Sequence, residues 1–247
     1  MNSSKAHLVR SVNNTADALK SSPTDQNHAA EIIYWAAKTF RNKLAVTSSF
    51  QTQSIPLLHL ISRICPNTPI LFLDTGFHFE ETLEFRSKLV TELGLNVVNL
   101  VPLMGHQEFK SKHDKLHETN PNMCCYLNKV EPLQRKLKKY SAWISGVRRD
   151  QTMHRANTPV CQLQDNGLYK ICPMVQWTES IVNDYINKLK LPRHPLYDSG
   201  YRSIGCACCT VAVEIGQDSR EGRWNGQEKT ECGLHDLLKR QREKESK

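Results

Sequence analysis

Two pairs of cysteines, far apart in the chain, could together bind a metal. Cys124 is followed directly by Cys125, and Cys206 and Cys209 form a Cys-x-x-Cys spacing. Four thiolates are the ligand set of a tetrahedral soft-metal site or an iron–sulfur cluster. Adjacent residues lie on opposite faces of a strand but about 100° apart on a helix, so sharing one metal favours a helical or kinked backbone at the first pair. The alternative is that all four are small buried hydrophobic residues.

The nine cysteines of this 247-residue chain predict a reducing compartment. Their number is odd, they are grouped like ligands, and the polar N-terminus has no apolar export signal, which together argue against a disulfide scaffold. No run of about 18 apolar residues occurs, so we expect no membrane partner. We therefore predict a cytoplasmic protein and interpret Cys65, Cys161 and Cys172 as structural.

The formal net charge of +8 predicts an anionic partner, either nucleic acid or a small polyanion. Part of the excess lies in the basic run at 239–244, which is typical of a solvated helix end. The other arginines of interest lie in polar loops at 148–149 and 220–223 and form no aromatic-studded surface. This distribution favours a small anionic ligand and no nucleic acid.

The elements that would position these residues alternate along the chain. Apolar runs predict strands at 44–46, 69–73, 96–100 and 142–147. Helical patterns cover 28–40, 57–64 and 80–93, and a later helix begins after an N-cap at Thr178. The alternation predicts an α/β fold with a mainly parallel sheet covered by helices.

The composition divides the chain into three parts. Residues 1–27 are expected to be a loosely ordered lead, and residues 28–215 one domain. From 216 to 247 apolar residues become sparse, so we expect a mobile tail without a core of its own.

Three polar loops follow predicted strands. They contain Ser48 and Ser49, then Asp74-Thr75-Gly76, then Arg148 and Arg149. Ligands bind beyond the carboxyl ends of parallel strands, hydroxyls at a helix N-terminus can hold an anion, and arginines make bidentate contacts to phosphate or sulfate. The alternative is that these are ordinary polar loops with solvated arginines.

Five short motifs in this order resemble the assimilatory sulfonucleotide reductases. The motifs are Ser48-Ser49-Phe50, Leu73-Asp74-Thr75-Gly76, Cys124-Cys125 with Lys129-Val130-Glu131-Pro132, Gly146-Val147-Arg148-Arg149-Asp150-Gln151, and Glu231-Cys232-Gly233-Leu234-His235. The resemblance implies an adenine nucleotide alpha-hydrolase-like fold. It implies reduction of adenosine 5′-phosphosulfate (APS), or of its 3′-phosphorylated form (PAPS), to sulfite and a nucleotide in sulfate assimilation and cysteine biosynthesis. Electrons would come from thioredoxin or a glutaredoxin-like reductant.

The same resemblance assigns the cofactor and the substrate site. Cys124, Cys125, Cys206 and Cys209 would bind one [4Fe-4S] cluster per chain, which marks the branch that prefers APS. Cys208 departs from the family pattern as a competing thiol. Lys129 would lie between cluster and substrate anion, and the cluster would tune the field there without needing to change redox state. The substrate-binding residues would be Ser48, Ser49, Gln53, Asp74, Thr75, Gly76, Arg148, Arg149, Arg220 and Arg223.

Cys232 is the nucleophile that the resemblance implies. Lys229 and His235 would favour its thiolate, which is the reactive form of cysteine. The thiolate would take the sulfonate as an enzyme S-sulfocysteine, and a reductant thiol would then release sulfite. The tail would close for the first step and open for the second. Because the sequence ends soon after Cys232, the reductant is expected to be a separate protein.

Other functions stay open at this stage. The substrate could be PAPS, or the fold could serve an ATP-using enzyme, although residues 48–54 lack the glycines usual in such a phosphate loop. A different class is a zinc-stabilised nucleic-acid-binding module, suggested by the four cysteines and the basic charge. The oligomeric state is also open, a homo-oligomer included.

Overall fold

A computed structural model describes Val9, residues 26–224 and residues 226–234. Its strands are β1 (Leu44–Thr47), β2 (Ile70–Leu73), β3 (Val97–Leu100), β4 (Ala142–Ser145), β5 (Cys161–Leu163) and β6 (Tyr169–Ile171). They form one sheet in the order β3-β2-β1-β4-β6-β5, in which β5 alone is antiparallel to its neighbour. The predicted mainly parallel sheet is confirmed, and each of the four predicted strands is present.

Helices cover the sheet and connect its strands. They are α1 (Gln26–Phe40), α2 (Ile55–Ile64), α3 (Glu80–Leu93), α4 (His106–His113), α5 (Leu116–Thr119), α6 (Pro121–Cys125), α7 (Glu131–Leu137) and α8 (Glu179–Lys188), and a π-helical turn at Tyr126–Val130 joins α6 to α7. In the part of the chain that the structure describes, no helix is long and apolar enough to cross a membrane.

Local signals explain where the predicted helices begin and end. Pro56 lies in the first turn of α2, where its missing N–H costs little. Gly94 ends α3 in the left-handed conformation at φ 62°. The Thr178 side chain accepts a hydrogen bond from the Ile181 N–H and caps α8 as predicted.

The core lies on both faces of the sheet because alternate residues of each strand point to opposite faces. In β4, Ile144 packs into the larger cluster with α1, α2 and α8, while Trp143 packs into a smaller cluster with Leu133 of α7. Both β4 side chains are fully buried. The strand ends that carry the polar loops are therefore held on a rigid central sheet.

The β5–β6 hairpin was not predicted from the sequence. Each of its strands has three residues, and the polar Gln162 and Lys170 lie within them, so neither strand shows an apolar run. β6 nevertheless pairs with β4 because its Tyr169 and Ile171 are buried against the core.

Most of the predicted N-terminal lead at 1–27 lies outside the described residues. The tail is described as far as Leu234, and its first part lies against the domain. Thr210 forms a β-bridge with Arg223, and Trp224 is 3% exposed. His235, predicted to assist Cys232, lies outside the described residues.

Candidate active site

A cleft of about 160 Å³ opens where β1, β2 and β4 end. The last residues of these strands, Thr47, Leu73 and Ser145, all line it. This is the edge of a parallel sheet at which ligands bind, as predicted. The tail closes the cleft from the other side with Trp224 and Cys232.

The loop after β1 brings its hydroxyl groups into the cleft. Ser48 and Ser49 both line it, and the Ser48 hydroxyl accepts a hydrogen bond of 3.1 Å from the Phe50 N–H. Phe50 holds a positive φ of 57°, and its fully buried ring contacts Phe72 edge-on at 5.6 Å between centroids. This packing stabilises a backbone turn that is unfavourable for a large side chain. Burial of Phe50 therefore positions the two serines.

Arg148 is not among the cleft-lining residues, although the sequence predicted it to bind substrate. Its side chain is 2% exposed and donates to both carboxylate oxygens of Asp150, at 3.0 and 3.1 Å. It also donates to the buried Gln53 amide oxygen at 2.5 Å. Gln53, another predicted substrate residue, is likewise absent from the lining. Both side chains hold the loop after β4 against the loop after β1.

Arg149 is also absent from the cleft lining. Its Nε donates to the Thr158 carbonyl at 2.9 Å, and its backbone N–H donates to the Val175 carbonyl. The predicted pair of anion-binding arginines is therefore used inside the protein in this structure.

Arg155 lines the cleft and was missed by the sequence analysis. Its guanidinium donates to the side-chain oxygen of Gln151, which also accepts from the Arg148 N–H. The motif at 146–151 thus positions an arginine that follows it. The only hint in the sequence is that Arg155 lies four residues beyond Gln151. That spacing alone does not distinguish a cleft-lining arginine from a surface arginine.

Three other predicted cationic residues do line the cleft, namely Lys129, Arg220 and Arg223. A Cβ at Gly205 would overlap the Arg223 guanidinium, so a glycine is required for this close approach. The same guanidinium lies 4.6 Å from the centre of the Trp224 ring. Burial and the neighbouring Arg155 lower the pKa of Arg220 to about 10. The cleft therefore concentrates positive charge in a partly desolvated place.

Cys232 lines the cleft beside these cations. The residue before it, Glu231, accepts from Nε and Nη2 of Arg155 at 2.7 and 2.6 Å and from the Thr152 hydroxyl at 3.0 Å. Burial opposes ionisation of Glu231, but the contacts with Arg155 outweigh it and lower the pKa of the carboxyl group. Glu231 begins the motif at 231–235, but the sequence analysis gave it no role of its own.

A second, smaller cavity lies behind the cleft and contains all four predicted ligands. Cys124 and Cys125 end α6, which confirms the predicted helical backbone, and Cys206 precedes a 3₁₀ turn that Cys209 ends. The turn is closed by the Cys209 N–H, which donates to the Cys206 carbonyl at 3.0 Å.

Lys129 lines both the cleft and the cysteine cavity. Burial alone would lower the pKa of its ammonium group, but the charges of Cys206, Cys125 and Cys232 outweigh burial and raise it. Lys129 therefore lies between the cysteine cavity and the cleft.

The loop Asp74-Thr75-Gly76 borders the cysteines and is not part of the cleft lining. The Thr75 hydroxyl lies 3.4 Å from the Cys206 sulfur, and His106 donates to the Asp74 carbonyl at 3.0 Å. Gly76 has φ 71°, and a Cβ there would meet the His106 ring at 2.6 Å. The sequence assigned this loop to the nucleotide, and the structure connects it to the cysteine cavity.

The donor chemistry of the cysteine cavity fits a soft metal or an iron–sulfur cluster. Among the described residues, no group of three or more His, Cys, Asp or Glu side chains is arranged so that it could hold a metal ion directly. Burial, together with the charges of Cys125, Cys206 and Cys209, raises the pKa of Cys124 to about 12. Without a bound cation, the Cys124 thiol therefore stays protonated at neutral pH.

Cys208 lines the same cavity as the four predicted ligands but is more exposed than they are. Its side chain is exposed, and its sulfur lies 3.7 Å from that of Cys209. A hydrogen bond from Cys208 lowers the pKa of the Cys209 thiol to about 6. Cys208 thus acts on a predicted ligand as a hydrogen-bond donor.

An α/β fold with an anion-attracting cleft and a cysteine beside it is typical of an enzyme that acts on an anionic substrate through a thiol. Comparison with known proteins identifies the family of this enzyme class. Residues 43–212 match the phosphoadenosine phosphosulfate reductase domain, and the chain belongs to this family.

Curated relatives carry a more specific name. A protein of Streptomyces coelicolor named adenosine 5′-phosphosulfate reductase is 43% identical over 209 residues, covering 84% of this chain and 88% of the relative. A Bacillus cereus protein of the same name is 43% identical over 211 residues, covering 84% and 90%.

Solved structures confirm the predicted adenine nucleotide alpha-hydrolase-like fold. The phosphoadenylyl-sulfate (PAPS) reductase of Candida auris, solved as a phosphate complex, superposes with a TM-score of 0.70 at 31% identity, covering 82% of this chain and 96% of that one. The FMN adenylyltransferase of Candida glabrata superposes with a TM-score of 0.56 at 14% identity, covering 90% and 84%, and shares the fold alone.

Proposed function

We propose that this chain is an adenylyl-sulfate reductase that converts APS to sulfite and AMP in sulfate assimilation and cysteine biosynthesis. The observation that carries the proposal is that Cys232 and the cationic Lys129, Arg220 and Arg223 line one cleft at the carboxyl ends of the strands. Family membership and this enclosed cleft favour an enzyme over a zinc-stabilised nucleic-acid-binding module.

The geometry supports a division of roles. Ser48 and Ser49 would contact the nucleotide, and Lys129, Arg220 and Arg223 would hold the phosphosulfate, joined by Arg155. Gln53, Arg148 and Arg149 would support these residues from behind, as their buried contacts indicate. Asp74, Thr75 and Gly76 would align the cysteine cavity with the cleft. His235 keeps its proposed role of favouring the Cys232 thiolate.

The proposed chemistry is two thiol displacements. The Cys232 thiolate attacks the sulfonate sulfur, a sulfur–sulfur bond forms, and the bond from that sulfur to the bridging oxygen breaks so that AMP leaves with the electron pair. A reductant thiolate then attacks Cys232 Sγ and releases sulfite with the electrons of the sulfur–sulfur bond. A second reductant thiol resolves the mixed disulfide, so that one dithiol is oxidised for each sulfite formed.

The reductant we propose is thioredoxin or a glutaredoxin-like protein. Because Cys232 is partly buried in the cleft, the tail at 216–247 has to move before another protein can reach the sulfur. Cys232 must also remain a thiol between turnovers, which supports a reducing compartment such as the cytoplasm.

We further propose that Cys124, Cys125, Cys206 and Cys209 hold one [4Fe-4S] cluster. When bound, the cluster would supply a charged group next to Lys129, whose own contribution is to hold a positive charge against the substrate anion. The four cysteines sharing one cavity behind Lys129 support this assignment.

APS is favoured over PAPS as the substrate because the curated relatives at 43% identity are named for APS. The C. auris structure at 31% identity is named for PAPS, so PAPS is the second candidate substrate. The test is to measure kcat/KM for sulfite release from each sulfonucleotide with reduced thioredoxin. A higher value for APS supports the proposal, and equal or higher values for PAPS would reassign the substrate.

The nucleophile has its own test. Cys232→Ser should reduce sulfite release by about a thousandfold or more while AMP binding is kept, because the hydroxyl is a far poorer nucleophile. Cys65→Ser is the matched control, since Cys65 lies at the end of α2 and outside the cleft lining. Normal sulfite release by Cys232→Ser would remove this residue from the mechanism.

A further inference from the structure

We propose that Glu231 is a positioning residue, and that its ion pair with Arg155 holds the tail so that Cys232 lies in the cleft. The inference rests on the proposed function insofar as Cys232 is the nucleophile. It adds a residue to which the sequence gave no role and assigns it a task distinct from chemistry.

The ion pair is built like a structural contact. Both carboxylate oxygens of Glu231 accept from Arg155, at 2.7 and 2.6 Å, and Thr152 donates to one of them at 3.0 Å. The side chains of Arg155 and Glu231 are 8% and 11% exposed. Removing one partner of such a bidentate, largely buried pair is costly, because the other charge is left buried without its partner. It fixes the backbone one residue before Cys232.

The domain side of the ion pair is fixed in turn. Arg155 contacts Gln151, whose side-chain oxygen accepts from the Arg148 N–H, and Arg148 is bound to Asp150. Asp150 also accepts from the Glu179 N–H at the start of α8, at 2.7 Å. A continuous set of polar contacts therefore connects α8 to the tail.

A second anchor lies just after Cys232. Leu234 packs against the smaller hydrophobic cluster that contains Trp143 and Leu133. Gly233, at φ 82°, turns the chain between Cys232 and Leu234. Cys232 is thus held between a polar anchor and an apolar anchor. Arg220 reinforces the polar side by donating to the Thr230 carbonyl at 2.8 Å.

The polar anchor lies at the edge of the cleft. Arg155 and Arg220 both line the cleft, and both face the Glu231 carboxylate, at 2.6 and 3.7 Å. The ion pair therefore holds the tail beside the place where the substrate is proposed to bind, and Cys232 stays in the cleft for the first step.

The test is the alkylation of Cys232 by iodoacetamide, followed by peptide mass spectrometry, in the full-length protein without nucleotide. Rates are compared on the high-pH plateau, where the thiol is fully ionised, so that they report access and not the thiol pKa. Glu231→Gln and Arg155→Gln should each raise the plateau rate about tenfold or more. The double variant should be no faster than either single variant, because the two residues act as one pair.

Control variants separate this role from general loosening of the tail. Glu228→Gln removes an exposed carboxylate three residues earlier and should leave the plateau rate unchanged. Glu231→Asp keeps the charge and should restore part of the protection lost in Glu231→Gln. In single turnover with APS, Glu231→Gln should slow sulfonate transfer to Cys232 while AMP affinity changes less than threefold.

Two outcomes would overturn the proposal. Plateau rates in Glu231→Gln and Arg155→Gln equal to that of the unchanged protein would show that the pair does not hold the tail. Multiplicative rates in the double variant would show that the residues act separately. Failure of the proposed function is distinguishable, because alkylation reports the position of Cys232 whether or not the protein releases sulfite.

Discussion

At the scale of single residues, buried side chains hold the cleft-lining residues in position. Phe50 is fully buried and holds the backbone turn that presents Ser48 and Ser49. Gly205 has no side chain, so the Arg223 guanidinium can lie against its backbone. The residues that would touch the substrate are therefore positioned by neighbours that would not.

Residue types and spacing predicted part of this site. The four cysteines, whose spacing suggested a shared site, line one cavity, while Lys129 and Cys232, which only the family resemblance singled out, line the cleft. Arginines are harder to assign, since the same guanidinium can bind an anion or a carboxylate within the protein. Arg148 donates to Asp150 and does not line the cleft, whereas Arg155, to which the sequence gave no role, does line it.

The pH dependence of the tail follows from the lowered pKa of Glu231. The pKa of the Glu231 carboxyl group is lower in the folded state than in the unfolded chain, where it is about 4.5. The ionised carboxylate therefore stabilises the folded state fully at pH values above the unfolded pKa. This stabilisation is lost as the pH falls through the lower pKa of the folded state. We expect the tail to stay closed at pH 5 and to open only below about 4.5. Hydrogen exchange of residues 226–234, corrected for intrinsic rates, measures this; opening near pH 6 would contradict it.

At the scale of elements, the loop after β4 is a support for the site. Arg148, Asp150 and Gln151 connect α8, the loop after β1 and Arg155. The strands that precede these loops were predictable because their apolar runs are buried on both faces. The β5–β6 hairpin was not, because its pairing depends on burial of Tyr169 and Ile171 that a three-residue strand does not reveal.

This support predicts a stability effect at Arg148. Arg148→Met should lower the free energy of unfolding by about 2 kcal/mol, because the buried Arg148 side chain would lose its hydrogen bonds to Asp150 and Gln53, while Asp150 is exposed enough to be hydrated. Arg149→Met is the matched control and should cost about 1 kcal/mol, since Arg149 loses a hydrogen bond to a carbonyl. Urea denaturation measures both. An unchanged stability in Arg148→Met with a raised KM would instead identify Arg148 as a substrate ligand.

At the scale of the whole molecule, the sheet places two cavities on either side of Lys129. The cleft lies at the strand ends, and the cysteine cavity lies where α6 meets the turn at 206–209. The tail crosses the cleft and brings Cys232 to it. One fold thus combines the proposed nucleotide site, the cysteine cavity and a tail that carries Cys232 to the cleft.

The cluster assignment predicts the metal content of the chain. Protein purified without oxygen should be brown and contain about four irons per chain, and Cys209→Ser should lose most of that iron. Cys208→Ser should keep it, because Cys208 is exposed and a serine hydroxyl can still donate a hydrogen bond to the Cys209 sulfur. Iron analysis and visible absorption measure this. Zinc in place of iron in the fully active protein, or iron loss in Cys208→Ser alone, would contradict the assignment.

The central claim is that Cys232 carries the sulfonate between APS and the reductant. The direct measurement is peptide mass spectrometry of the protein after incubation with APS in the absence of reductant. We expect one sulfonate group on the peptide that contains Cys232, and its release as sulfite when reduced thioredoxin is added. A sulfonate on another cysteine, or sulfite release at full rate with no adduct ever formed on Cys232, would contradict the account.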